Sequence, residues 1–375
     1  MRGRLETQVS FSTITPEMVV PSDHPIRRIK PIVDAALKAM DETLAEMYAG
    51  TGRPSIPPEN LIRGCVLMAL YSIRSERQLC ERIAYDLLFK WFLDMNVDDG
   101  AWDPSTFAKN RTRLLEHAVS REFFKAVLTE ARKAKLLSAE HFTVDGTLLE
   151  ARASLKSFQP KPNLGGQRKK QKPGKGGKAK ASKGRNPEVN WHGEKRSNQT
   201  HASTTDPEAQ LARKGNNQPA KMSYAGHVLM ENRNGLIVDR MLTQATGTAE
   251  REAAKTMLRR TSKESKSRRT VGCDKGYDTK NFVKECREMG VTPHVTQNES
   301  GKRKSNIDGR TTRHSGYQVS QRVRKRVEEI FGWVKTVGNS RKLRYTGVER
   351  NHLWWDLALT TFNIVRMANL GVVPA

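Results

Sequence analysis

The stretch His141–Ala151, HFTVDGTLLEA, sets an aspartate, Asp145, straight after an apolar, β-branched run. An ionised carboxylate in apolar surroundings is costly unless a cation or hydrogen-bond donors meet it, and the neighbouring residues supply neither. The run reads as a strand that delivers an acid to the edge of a sheet, and the partner of that acid has to come from elsewhere in the chain.

Reading onward, residues 220–245, AKMSYAGHVLMENRNGLIVDRMLTQA, give two strand-like runs around Asn232–Gly235, the turn chemistry of a hairpin. TAEREAAKTMLRRTS then reads as a helix, RTVGC as a short strand, KNFVKECREMG as a helix and VTPHVTQN as a strand. From His141 the order is strand, strand, strand, helix, strand, helix, strand, helix, and its second half has the rhythm of a parallel crossover. The class is α/β. VSQRVRKRVEEIFGWVKTVG and NHLWWDLALTTFNIVRMANLG close the chain as helices, with Trp354 and Trp355 expected in the core.

Before His141 the pattern is helical. Residues 24–49 carry Ile29, Ile32, Val33, Ala36, Leu37, Met40 and Leu44 at three- and four-residue steps, an amphipathic helix. Pro57-Pro58-Glu59 opens two or three further helices. Asp103 or Ser105 caps another, along which Lys109, Arg111 and Arg113 form a basic face able to lie against DNA. The boundaries expected are a helical domain over 1–135, an α/β domain over 136–375, and a flexible basic insertion over 156–200. Between Ala151 and Pro187 there is no Asp or Glu, and GGQRKKQKPGKGGKAKASKGR cannot bury enough apolar surface to fold alone.

The 375 residues hold 66 Lys and Arg against 40 Asp and Glu, a formal charge of +26 that favours a polyanionic partner over the small substrates of metabolism. Double-stranded DNA is the first candidate. No apolar run approaches the roughly 18 residues of a membrane span, and MRGRLETQVSF lacks a signal segment, so a cytoplasmic protein is expected. Cys65, Cys80, Cys273 and Cys286 form no C-x-x-C pair and read as buried thiols. His141, His227, His294 and His314 lack metal-ligand spacing.

A second aspartate, Asp274, ends the strand RTVGC just before Lys275-Gly276. Parallel strands that end together bring such side chains to one edge. A third carboxylate, Glu328, stands on the helix RVRKRVEEIFGWVK, on one connected side with Phe331 and Lys335. Three carboxylates suit Mg²⁺, or Mn²⁺ as a substitute. Two such ions roughly 3.5–4 Å apart promote in-line displacement at phosphorus, the chemistry of cutting and joining DNA. Rival acids are Asp206, read as a turn residue, Asp278, read as a helix cap, and Glu329 beside Glu328.

FTVDGTLLEA, with Asp145, and VGCDKGYDT, with Asp274, Gly276 and Tyr277, resemble motifs of the bacterial insertion-sequence DDE transposases whose catalytic domain is ribonuclease H-like. In the third motif of that branch, Y-x2-R-x3-E-x6-K, Arg324, Glu328 and Lys335 keep the spacing while Gln321 takes the tyrosine position. The resemblance spans nearly the whole chain, through TTDPEAQLARKG, SYAGHVLMENRNGLIVD and NIDGRTTRHSGY. It implies a mixed five-stranded sheet with flanking helices, an enzyme that hydrolyses a phosphodiester at the terminal inverted repeats of its own element, and a freed 3′-OH that attacks target DNA. It also implies catalytic and metal-binding roles for Asp145, Asp274 and Glu328. Arg324, Lys335, Lys275 and Tyr277 would then lie on the DNA, and a homodimer would work at the bacterial nucleoid. A non-enzymatic architectural protein predicts salt-dependent binding without metal-dependent nicking; a nuclease of the same fold would cut without joining.

Overall fold

The computed structural model describes residues 14–47, 55–116, 118–161, 196–215, 217–262, 268–299 and 304–372. Eight helices come first: α1 (Pro16–Val19), α2 (Ile26–Lys38), α3 (Asp41–Glu46), α4 (Pro58–Leu70), α5 (Glu76–Tyr85), α6 (Leu87–Phe92), α7 (Pro104–Glu116) and α8 (Val119–Lys133). Local chemistry sets their starts. Ser75 accepts from the Gln78 N–H at the head of α5, and Asp103, rather than Ser105, caps α7 by accepting from Ser105 N and Thr106 N at 2.9 Å. The single helix expected over 24–49 is two, because the chain leaves helical geometry at Met40 between α2 and α3.

The strands are β1 (His141–Glu150), β2 (Phe158–Pro160), β3 (His201–Ser203), β4 (Gln210–Ala212), β5 (Lys221–Glu231), β6 (Ile237–Gln244), β7 (Arg269–Cys273) and β8 (Val291–Val295). β5 and β6 form the hairpin, with Gly235 at a φ of +75° in its turn. β1 lies antiparallel to β5 and parallel to β7, which is parallel to β8. The sheet order is β4-β5-β1-β7-β8, with β6 also on β5. The expected five-stranded frame of β6, β5, β1, β7 and β8 is present; short β4 extends the β6 edge, pairing with β5 at Lys221–Ser223 where β6 pairs at Tyr224–Met230. β2 and β3 pair apart from the sheet and close the two ends of the basic insertion, whose residues 162–195 lie outside the described ones.

The later helices are α9 (Ala249–Ser262), α10 (Lys280–Glu288), α11 (Gly309–Thr312), α12 (Ser315–Val323), α13 (Val327–Thr336) and α14 (Val348–Asn369). The helix read over 319–338 is interrupted by a 3₁₀ turn at Arg324–Arg326, which separates α12 from α13. α9 and α10 cover one face of the sheet over Val271, Phe282 and Met257; α13 and α14 cover the other. α14 is enclosed on nearly every side, and its buried residues include the polar Asn351, Asp356, Thr360, Thr361 and Asn363 beside its apolar ones. Trp354 enters the core of the N-terminal helices and its neighbour Trp355 the core under the sheet, both essentially fully buried. All four cysteines are free and buried. Among the described residues no helix is long and apolar enough to cross a membrane.

Candidate active-site cleft

Asp145 stands in the middle of β1, not at the strand end expected. The cause is the choice of partners. β5 pairs along β1 from Phe142 to Glu150 and carries the strand onward, whereas β7 pairs only with His141–Thr143. β7 stops at Cys273, and Asp274 turns the chain by accepting from the Gly276 N–H at 2.8 Å. Extending the register Thr143↔Gly272 by two residues sets Asp145 beside Asp274 at the point where the two strands part. A cleft of about 1170 Å³ opens there, lined by Asp145, Asp274 and, from α13, Glu328.

A fourth carboxylate, Glu250 in the first turn of α9, lines the same cleft. Gly146 makes room for it: a Cβ at that position would lie 2.9 Å from Glu250 Cγ and 3.0 Å from Nδ1 of His227. The His227 ring is buried, which holds its pKa near 4 and keeps it neutral; Nε2 meets Thr243 Oγ1 at 2.8 Å and Nδ1 has no hydrogen-bond partner. Burial raises the Asp145 carboxyl to about 7, with Asp274 and Glu250 adding repulsion; the Gly146 N–H at 2.8 Å and the Arg324 charge oppose the rise. Burial and Asp274 likewise push Glu250 up.

Cations border these acids. Lys335 donates to Thr147 Oγ1 from across the cleft, and burial, then Lys214 and Arg341, depress its pKa. Lys214 and Arg341 line the cleft with it. The result is an acidic floor inside a basic rim, a distribution suited to an anion brought against cations. Among the described residues no group of three His, Cys, Asp or Glu side chains sits close enough to cage a metal ion. The donors still fit Mg²⁺, which is commonly held by one or two carboxylates, water and substrate phosphate rather than an all-protein cage.

Several expected placements need correction. Tyr277, expected on DNA, is 1 % exposed: the turn after Asp274 curls its ring back onto Phe282, centroids 5.2 Å apart. Arg111 is engaged inside the protein, paired with Glu76 and lying 4.6 Å over the Tyr345 ring, so it is withdrawn from the basic face that Lys109 and Arg113 still present. Asp278 caps nothing at α10, where Thr279 does so; it is fully buried and gathers Asn298 N, Ser305 Oγ and Asn306 N at 2.6–2.9 Å. Asp206 is likewise buried, accepting from Tyr224 OH and Gly347 N. Lys275 is exposed beside the cleft without lining it, Arg324 is half-buried behind Asp145, and Glu329 does not line the cleft. Gln321, in the tyrosine position, bridges the end of β8 by donating to His294 O and accepting from Thr296 Oγ1.

The family model described as "Transposase DDE domain" matches residues 137–364, from just before β1 into α14. The chain belongs to this family. As a DDE transposase it falls in a class of metal-dependent enzymes of DNA cleavage and transfer, and its three antiparallel strands followed by two parallel to the first fit the ribonuclease H-like fold. A second model, "Transposase domain (DUF772)", matches residues 15–113 of the helical region. Among solved structures the transposase is similar to a piggyBac transposase synaptic complex with hairpin DNA, at 12 % identity and a TM-score of 0.41, over 96 % of this chain and 79 % of that one. No curated protein matches it.

Proposed function

We propose that the protein cuts DNA at the ends of an insertion sequence and joins the freed 3′-OH to target DNA, with Asp145, Asp274 and Glu328 holding Mg²⁺ and Glu250 completing the acidic set. The observation that carries this reading is the strand register, which sets Asp145 beside Asp274 on the cleft that Glu328 lines. Bound Mg²⁺ would supply Lewis acidity at phosphorus and lower the pKa of the attacking oxygen. The chain's own residues do the rest. Asp145 in its ionised form would be one of the ligands, Lys335 is held by Thr147 on the cleft where it would face a phosphate oxygen, and the Arg324 charge favours the ionised Asp145. Lys109 and Arg113 of the helical region, within 1–135, hold the end sequences, and two copies act as a homodimer on paired ends.

The test is cleavage of a plasmid carrying the element's inverted repeats, with Mg²⁺ and then EDTA. Wild type is expected to give cut and joined products only with the metal; Asp145→Asn, Asp274→Asn and Glu328→Gln bind the same DNA and give neither. Cleavage retained by Asp145→Asn removes the assignment, and cutting without joined product reduces the enzyme to a nuclease.

A further inference from the structure

Four residues before Asp145, at the start of β1, a second cavity of about 1060 Å³ lies at the opposite end of the sheet's parallel half. Arg268, Arg269, Arg287 and Arg310 line it against only Glu288 and Asp308. Both acids are already engaged: Asp308 lies 2.8 Å from Arg310 and 3.7 Å from Arg287, and Glu288 pairs with Lys284 at 3.6 Å. Arg269 is the anomaly. It is 3 % exposed, its Nη1 is buried with no hydrogen-bond partner, and among the described residues it forms no ion pair. Burial with no opposing acid holds its guanidinium below the usual range.

A buried cation without a partner is among the costliest placements in a folded chain, and an incoming anion relieves it. The guanidinium fork matches the oxygens of a phosphate, which two of its N–H groups can engage at once. Position suggests whose phosphate. Arg269 opens β7 and Asp274 follows its end, so the cavity and the cleft lie at opposite ends of one strand of a chain whose formal charge of +26 favours a polyanion.

We infer that this cavity is a phosphodiester-binding site, with Arg269 as its central contact, that holds the DNA backbone at a distance from the phosphate being cut. The distance to the cut rests on the reading of the cleft; the anion site itself does not.

The test uses the full chain, a 40-base-pair duplex of random sequence, and Arg269→Met and Arg268→Ala variants. Arg269→Met is expected to bind the duplex about tenfold more weakly at low salt, with the slope of log K against log salt reduced by about 0.9, while its melting temperature holds or rises because an unpaired buried charge is gone. Arg268→Ala, on an exposed side chain, gives a smaller loss in the same direction. Unchanged affinity and slope in both variants overturn the proposal. A lower melting temperature for Arg269→Met with wild-type binding by Arg268→Ala also overturns it, by making Arg269 structural. A second arm titrates inorganic phosphate: if it stabilises wild type but not Arg269→Met while the DNA slope is unchanged, the site takes a free phosphorylated molecule and the DNA assignment falls. These binding arms need no cleavage, so failure of the plasmid assay beside a reduced slope for Arg269→Met would remove the reading of the cleft and leave the anion site standing.

Discussion

Asp145 carries the sharpest consequences at the scale of one residue. Folding raises its pKa from an ordinary 3.8 to about 7. Between those values the folded protein holds a proton that the unfolded chain has released, so stability falls as pH rises through that window, by up to about 4 kcal/mol, and stays level above it. Asp145→Asn is therefore expected to melt above wild type at pH 8 without metal and level with it at pH 4; equal melting at both values would show that the carboxylate is not buried under repulsion. Because a proton competes with a cation for the same oxygens, Mg²⁺ affinity measured by calorimetry is expected to rise from pH 6 to pH 8 in wild type and stay flat in Asp145→Asn. Gly146→Ala tests Glu250. The added methyl meets Glu250 Cγ at 2.9 Å and its Oε1 at 3.1 Å, atoms of a long side chain that can swing away, and Nδ1 of the buried His227 ring at 3.0 Å. Cleavage is expected to fall tenfold or more (~1.4 kcal/mol) with circular dichroism unchanged, and an unaffected rate would detach Glu250 from the chemistry.

Among the elements, α14 decides most. Gly226 on β5 admits the Trp355 ring so closely that a Cβ would lie 2.7 Å from it. Neither the ring nor the central strand can move far, so Gly226→Ala is expected to destabilise the protein by about 1–3 kcal/mol in urea denaturation. Asp356, fully buried one residue further on, accepts from Arg240 Nη2 of β6 at 3.0 Å and from Ser120 Oγ of α8 at 3.1 Å, tying sheet and helical region to one helix. Arg240→Met alone leaves the buried carboxylate with Ser120 and with His352, 3.2 Å away, and is expected to cost about 3 kcal/mol, whereas Arg240→Met with Asp356→Leu recovers most of that loss. A double variant no better than the single would place the cost in the lost packing of Arg240 on Phe124, 3.8 Å below its guanidinium, rather than in charge.

For the whole molecule, one hydrophobic core spans the expected boundary near 135. Leu353, Trp354, Leu357 and Ile364 of α14 belong to the core of the N-terminal helices. The intact protein is expected to melt in one transition by calorimetry, and a fragment ending at residue 135 to lose cooperative melting because it exposes the surface that Trp354 covers. Two separate transitions in the intact chain would contradict the shared core. At the same scale the net charge of +26 is distributed with purpose, carboxylates on the cleft floor and Lys214, Lys335 and Arg341 around them.

The sequence by itself determined the order of the five main strands β1, β5, β6, β7 and β8 and of the helices between them, though not the short β2, β3 and β4, together with the hairpin at Asn232–Gly235, the burial of Trp354 and Trp355, and the separation of Asp145, Asp274 and Glu328 along the chain. These follow from periodicity and turn chemistry, which act over a few residues. Tertiary structure alone decided that Asp145 lies mid-strand, that Glu250 joins it, and that Tyr277 and Arg111 turn inward. Glu250 reads in sequence as an ordinary acid in the first turn of a helix, favourable to the helix dipole, and nothing local marks it. Which strands pair with β1, and for how long, is settled by contacts with residues 73 to 129 positions away. The parting of β1 from β7, and with it the cleft, has no local signature to read.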